Sequence, residues 1–510
     1  MIARLSSCAI AGIEAQPVEV EVHISGGLPN VLVVGLPDAA VKEASQRVKA
    51  AIRNAEFDFP SQVVIINLAP AHRRKEGSHY DLPIALGVLA AAGALPPSRL
   101  GDLMVAGELA LDGRVREVAG AMVMAECARM LGKRAVVVPA GNAAEASLVE
   151  GVEVVGVRDL PEAVGVIRGE REPLPPRASP AAHLTLPEGA CLSEVRGQAC
   201  AKRALEVAAA GGHNLLMTGP PGSGKTMLAR CLPSILPPLD GEEALLVTKI
   251  YSVAGMLEGA GELITRRPFR APHHSISYAG MAGGGSPRLR PGEISLAHGG
   301  VLFLDELPEF RRDSLEALRQ PLEEGKVTIS RSSGKAVFPA RFMLVASMNP
   351  CPCGFWGDTV RPCTCSAGAL RRYLGKLSGP LMDRVDMHVE VPRLTPAELR
   401  SCAGGETSER VRERVEEARR RQRARIGEAG SCNATLTPSQ LMRFCRLSEE
   451  GECFLLQAVN RLGLTARGYH RCLRVARTIA DLAGRERVTV EDLAEAVQYR
   501  FHERATALRY

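Results

Sequence analysis

Apolar positions in the first third of the chain fall into short runs that alternate with amphipathic stretches. Residues 18–24, 31–34, 63–68 and 135–138 are rich in Val, Ile and Leu and read as strands, whereas residues 39–54, 82–92 and 121–131 repeat apolar positions at helical spacing. That alternation predicts a compact α/β domain over residues 1–167. Residues 168–187 then carry prolines and charges with no period, which predicts an exposed linker. Apolar runs return at 215–218, 301–304 and 342–346, separated by helical stretches and long loops, as in an open parallel sheet. From residue 395 the pattern is helical to the end. The expected organisation is therefore 1–167, linker 168–187, 188–394 and 395–510.

Composition narrows the class. With 510 residues and 46% apolar content, the chain has material for more than one core. No run approaches the ~18 apolar residues of a membrane span, and the N-terminus lacks the pattern of a signal peptide, so the expectation is a soluble, cytoplasmic protein with no membrane partner. The 14 cysteines are thinly spread apart from one cluster, which suits a reducing compartment. A net charge of +6 favours an acidic partner only mildly.

The strongest chemical signal is Gly219, Pro220, Pro221, Gly222, Ser223, Gly224, Lys225 and Thr226, a G-x-x-x-x-G-K-[ST] run between a short apolar strand and a helix expected from residue 227. In that setting backbone N–H groups converge on phosphates, Lys225 reaches the β and γ oxygens, and Thr226 offers a hydroxyl to Mg2+. Residues 301–304 form an apolar run closing on Asp305 and Glu306, so a buried strand would deliver both carboxylates to its C-terminal edge, where ligands bind. Asp305 is expected to hold Mg2+ and Glu306 to polarise the attacking water. A third strand, 342–346, leads to Asn349, an amide placed to orient the same water.

These motifs look like an AAA+ ATPase. Arg267-Pro-Phe-Arg-Ala-Pro-His-His-Ser-Ile-Ser and Ser378-Gly-Pro-Leu-Met-Asp-Arg-Val-Asp extend the likeness, and over essentially its whole length the chain resembles the magnesium-chelatase-like AAA+ ATPases of the competence-protein ComM (YifB) family. The resemblance implies an AAA+ P-loop core with a helical lid and a homo-hexameric ring with ATP between subunits. It implies that Arg384 is the finger donated to a neighbour's γ-phosphate and that Arg467 is the sensor 2 arginine of the lid. Residues 1–167 resemble the Lon-protease-like fold, akin to ribosomal protein S5 domain 2, through Asn67-Leu-Ala-Pro-Ala, Lys75-Glu-Gly-Ser-His-Tyr-Asp-Leu-Pro and Gly107-Glu-Leu-Ala-Leu-Asp-Gly-Arg-Val. A Lon-type protease needs a Ser activated by a Lys. Ser78 lies near the nucleophile's place, but Met122 stands in the stretch that should supply the lysine, so a non-proteolytic domain is expected.

Asp305 follows Lys225 by 80 positions, and the excess at 252–291 resembles the helix-2 insert of this branch. Residues 326–338 read as a hairpin resembling the pre-sensor-1 hairpin, whose Lys326, Arg331 and Lys335 could grip DNA phosphates or simply be solvated. Cys351, Cys353, Cys363 and Cys365 form two C-x-C pairs separated by nine residues, a spacing suited to one structural Zn2+, with disulfides or free thiols as alternatives. Arg419, Arg420 and Arg421 read as a solvated helix face. The expected function is an ATP-hydrolysing ring motor on single-stranded or branched DNA, a branch-migration helicase of recombination and natural transformation. The alternatives are a chelatase-like ATPase that remodels a partner protein and an ATP-dependent Lon-like protease.

Overall fold

The structure is a computed structural model that describes residues 2–172, 190–257, 261–285, 289–331, 334–358, 360–395, 405–427 and 431–507. The expected linker at 168–187 falls mostly outside these residues; its first member, Arg168, closes the helix Leu160–Arg168.

The first sheet has seven strands in the order Asn30–Val34, Val63–Ala69, Glu14–Ser25, Ile2–Ala11, Leu103–Val105, Ala135–Pro139 and Glu153–Val157. Ile2–Ala11 pairs antiparallel with Glu14–Ser25 through the turn at Gly12, whose φ of +68° favours glycine. The helix Ala39–Asn54 starts where Asp38 accepts from the Val41 N–H at 2.8 Å. The helix Asp81–Ala91 is buried along its whole length, which explains its uniformly apolar sequence. Its one charge, Asp81, is held by Arg47 through two bonds of 2.7 and 2.9 Å.

The second sheet is fully parallel, in the order Phe269–Arg270, Val301–Leu304, Met343–Met348, Leu215–Thr218 and Met387–Glu390. The phosphate-loop strand thus lies between Met343–Met348 and Met387–Glu390. The expected third strand is displaced slightly, to Met343–Met348, and the helix after the loop begins at Lys225 rather than residue 227. Within the 252–291 segment, the helix Tyr278–Ala282 leads into a two-stranded ribbon, Gly283–Gly284 with Arg290–Pro291.

Helices Ser408–Ile426, Glu449–Leu462, Ala466–Leu482 and Val490–Ala507 follow. They share one apolar core with the face of the second sheet that carries Leu215 and Val345. Polar ties cross the same boundary: Arg414 meets Glu206 at 2.5 Å, Arg203 meets Glu495 at 2.9 Å, and His213 Nε2 meets Thr478 Oγ1 at 2.7 Å. The arginine run splits here, correcting the expectation of a uniformly solvated face. Arg419 donates to the Ala209 carbonyl at 2.9 Å, while Arg420 and Arg421 pair with Glu417 on their own helix.

The first sheet's domain is joined to the second through the helix Gly241–Ala254, where Lys249 meets Glu126 at 2.6 Å and Ser252 donates to the buried Glu145. Gly12 lies so close to the hairpin strand Gly334–Pro339 that a Cβ there would meet the Val337 carbonyl oxygen at 2.6 Å. Among the described residues, no helix is long and apolar enough to cross a membrane.

Candidate active site

The strand Leu215–Thr218 ends in the glycine loop, and the helix Lys225–Arg230 begins at its far side with Gly224 at φ +93°. Gly219 lies against the neighbouring strand's exit, where a Cβ would meet the Val391 carbonyl oxygen at 2.1 Å. The loop therefore requires glycine for close approach at one end and for a left-handed turn at the other. Lys225 Nζ donates to the carbonyls of Gly219 and Pro220 at 2.7 and 2.9 Å and to Asn349 Oδ1 at 3.3 Å. Burial pushes its ammonium below the ordinary lysine value, with Asp305 and Glu306 opposing the shift. Ser223 Oγ is buried in the loop with no hydrogen-bond partner among the described residues.

Thr226 Oγ1 donates to Asp305 Oδ2 at 2.7 Å, so a hydroxyl and a carboxylate meet at the C-terminal edge of the sheet. The other Asp305 oxygen accepts from Ser347 Oγ and from the Glu306 N–H, the latter at 3.1 Å. Glu306 adopts φ +54°, and its exposed carboxylate stands 3.8 Å from His274 Nδ1. The left-handed turn directs Glu306 away from the strand that delivers Asp305. The hard oxygens of Thr226 and Asp305 suit Mg2+, and the unpartnered Ser223 hydroxyl and the Lys225 ammonium suit phosphate oxygens.

Neither Arg384 nor Arg467 makes a hydrogen bond or ion pair to this set among the described residues. Arg384, just after the helix Gly379–Met382, contacts Glu323 and the Pro380 carbonyl, so its partner is neither Asp383 nor Asp386. Arg467 is exposed in the first turn of the helix Ala466–Leu482 and forms no ion pair among the described residues.

Sequence reasoning passes over the residues that hold Arg384's backbone. Asn214 Nδ2 donates to the Arg384 carbonyl at 2.9 Å, its Oδ1 accepts from Leu344 N–H at 2.8 Å, and its own N–H donates to Asp386 at 2.9 Å. Arg471 and Arg500, from two different lid helices, both donate to the Val385 carbonyl, at 2.9 and 2.6 Å. His274 also escapes such reasoning as a neighbour of Glu306, although the His-His pair is visible as a motif.

Cys351, Cys353, Cys363 and Cys365 converge, with all four sulfurs within 4.8 Å of one another. The strands Lys326–Arg331 and Gly334–Pro339 form the expected hairpin, in register from Lys326 with Pro339 to Arg331 with Gly334. Lys326 and Lys335 are exposed, and Lys326 stands 3.8 Å from Glu324; the side chain of Arg331 lies outside those described. In the first domain, Ser78 Oγ donates to Glu108, and Met122 is buried.

The parallel sheet, its glycine loop and the acids at its edge define a P-loop ATPase of the AAA+ class. Family models described as "Magnesium chelatase, subunit ChlI", "Subunit ChlI of Mg-chelatase" and "Magnesium chelatase, subunit ChlI C-terminal" match residues 191–399, 20–142 and 405–500. The competence protein ComM of Haemophilus influenzae is 45% identical over 503 residues, covering 98% of this chain and 97% of that protein. The YifB protein of Escherichia coli is 44% identical over 493 residues, 96% of each chain. A chloroplastic magnesium-chelatase subunit ChlI of Nicotiana tabacum is 27% identical over 216 residues, 42% of this chain and 44% of that one. The chain belongs to the ComM/YifB family of magnesium-chelatase-like AAA+ ATPases.

Proposed function

We propose that the chain is an ATP-driven ring motor on DNA, which hydrolyses ATP between neighbouring subunits and migrates branches during recombination. The observation that carries the inter-subunit reading is the absence of any arginine bonded to the Lys225, Thr226, Asp305 and Glu306 set among the described residues, while Arg384 is held elsewhere on the chain. A charge-neutralising arginine is worth several kcal/mol to phosphoryl transfer, so one supplied by a second copy completes the site.

In this reading the 219–226 loop cradles the phosphates and Lys225 leaves its carbonyl partners for the β and γ oxygens. Thr226 and Asp305 hold Mg2+, which when bound offsets phosphate charge. Glu306 accepts the proton side of the attacking water, and Asn349 fixes that water's orientation. Arg384 reaches the neighbour's γ-phosphate, and Arg467 of the lid contacts phosphate in cis or trans.

Action on DNA is supported by near-full-length similarity to a competence protein and by the exposed Lys326 and Lys335. The tobacco chelatase subunit is only 27% identical over 42% of the chain, against 45% over 98% for ComM, which favours the motor over a chelatase partner. A protease is unsupported because Ser78 is bonded to a carboxylate and Met122 cannot act as a base. The test is the ATPase rate with and without single-stranded and forked DNA. Stimulation is expected; indifference to every DNA form overturns the motor.

The cysteine cluster fits a structural zinc. Sulfur separations of 3.3, 3.6 and 3.7 Å are far too long for disulfides. They approach the ~3.8 Å edge of a tetrahedron built on Zn–S bonds of about 2.3 Å. N–H groups of Trp356 and Cys365 donate to Cys351 and Cys363 sulfurs at 3.3 and 3.4 Å, so backbone donors already orient two of the four sulfurs.

A further inference from the structure

The cysteine loop does not stand apart from the nucleotide site. It leaves the sheet directly after Asn349, whose side chain accepts from Lys225 Nζ at 3.3 Å. It then passes over the phosphate loop at Gly354, whose missing Cβ would lie 2.6 Å from Pro221 Cδ and 2.7 Å from Pro221 Cγ. Gly354 has φ +84°, so the turn and the close approach both demand glycine. After Cys365, Ser366 caps the helix Ala367–Leu374, and Tyr373 on that helix returns its hydroxyl to the Asn349 carbonyl at 3.2 Å. The described residues at the two ends of this segment, Asn349 and Tyr373, are thus tied to each other. One end touches the lysine of the phosphate loop, its middle presses on that loop's proline, and its interior holds the four sulfurs.

We propose that this metal knuckle is the outer wall of the phosphate loop, and that zinc in it sets the affinity of the site for ATP. The inference rests on the zinc reading above. Without a metal, the four sulfurs are joined to one another only by weak S–H contacts, and local bonds such as Gly354 N–H to the Cys351 carbonyl and Trp356 N–H to the Cys351 sulfur are left to hold the turn against Pro221. Four Zn–S bonds fix it, and with it the spacing between the 219–226 loop and Asn349. The knuckle is then a positioning device for nucleotide, rising from the strand Met343–Met348 beside the phosphate-loop strand. It acts through packing and touches no reacting atom.

Two measurements separate this inference from the reading beneath it. Zinc is first quantified in full-length protein purified from zinc-replete cells; one zinc per chain is expected, and metal-free protein overturns both statements. A fluorescent ATP analogue is then titrated into intact protein, into protein stripped by a chelator with release confirmed by an indicator dye, and into stripped protein given zinc again. A loss of affinity of at least tenfold on stripping, reversed by zinc, is expected. Confirmed release with unchanged affinity overturns the coupling while leaving the zinc site standing. The packing arm does not depend on stripping. Gly354→Ala is expected to keep its zinc and weaken ATP binding at least fivefold, and adding Pro221→Ala, which removes Cγ and Cδ, should recover part of the loss. A Gly354→Ala protein with normal affinity, or a double variant no better than the single, overturns the proposal.

Discussion

The side-chain amide of Asn214 donates to the carbonyl of Arg384 at 2.9 Å, and its oxygen accepts from Leu344 N–H at 2.8 Å. One residue at the base of the phosphate-loop strand therefore fixes both the neighbouring strand and the segment that carries the candidate finger. Asn214→Ala orphans these groups, a loss of ~1–3 kcal/mol. Turnover is expected to fall at least about tenfold, or ~1.4 kcal/mol in the barrier, with the nucleotide Kd within about twofold. Parallel losses of binding and turnover would mark Asn214 as a support of the sheet alone.

The inter-subunit site predicts distinct phenotypes for three variants. Lys225→Ala should lose nucleotide binding or turnover, Glu306→Gln should bind ATP and retain it, and Arg384→Ala should bind ATP normally with turnover reduced by roughly a thousandfold. Because Lys225→Ala subunits keep their finger and Arg384→Ala subunits keep their loop, mixing the two inactive proteins should restore part of the ATPase. Mixtures that form joint rings and stay inactive would rule out a finger supplied in trans.

Charge on the hairpin gives a third prediction. Lys326→Glu with Lys335→Glu should leave DNA-free ATPase unchanged, abolish its stimulation by DNA, and flatten the log–log salt dependence of DNA binding by about one unit for each phosphate the lysines no longer neutralise. Binding curves at several salt concentrations check this; an unchanged slope would assign the lysines to solvent.

Acid stability follows from two buried histidines. Burial pushes His213 down to about 4, opposed by Asp386 and reinforced by Arg419 and Arg474; burial with Arg341 and Arg267 does the same to His298. The unfolded chain, with ordinary values near 6.5, binds more protons between these limits. Stability is then full above pH 6.5 and falls toward pH 4, by on the order of 3 kcal/mol per histidine. His213→Gln should shrink the drop in melting temperature between pH 7 and 5; parallel profiles would exclude His213 as a source.

The chemistry most legible in the sequence is the chemistry encoded in contiguous residues. The run 219–226 carries its own flanking strand and helix, and an apolar run ending in Asp305 and Glu306 signals a buried strand with acids at its edge. The strands Ile2–Ala11 and Met387–Glu390 escape the pattern, because serines and alanines dilute the alternation in the first and His388 and Glu390 break the apolar run in the second. Relationships between distant segments are not legible. Nothing in the local text ties Asn214 to Arg384, Arg471 and Arg500 to Val385, or Gly354 to Pro221, since each depends on how separate elements pack. Arg419 shows the same limit: its sequence neighbours are solvated arginines, yet its guanidinium caps the carbonyl of Ala209 on the helix Ala199–Gly211.

If ATP turnover at Lys225 and Glu306 drives movement of DNA strands, a synthetic three-strand junction incubated with the full-length protein, Mg2+ and ATP should reveal it on a native gel. Wild-type protein with ATP is expected to convert the junction to exchanged products, and Lys225→Ala and Glu306→Gln to convert none. An actively hydrolysing protein that leaves three-strand, forked and four-way junctions intact would refute the coupling of turnover to strand movement.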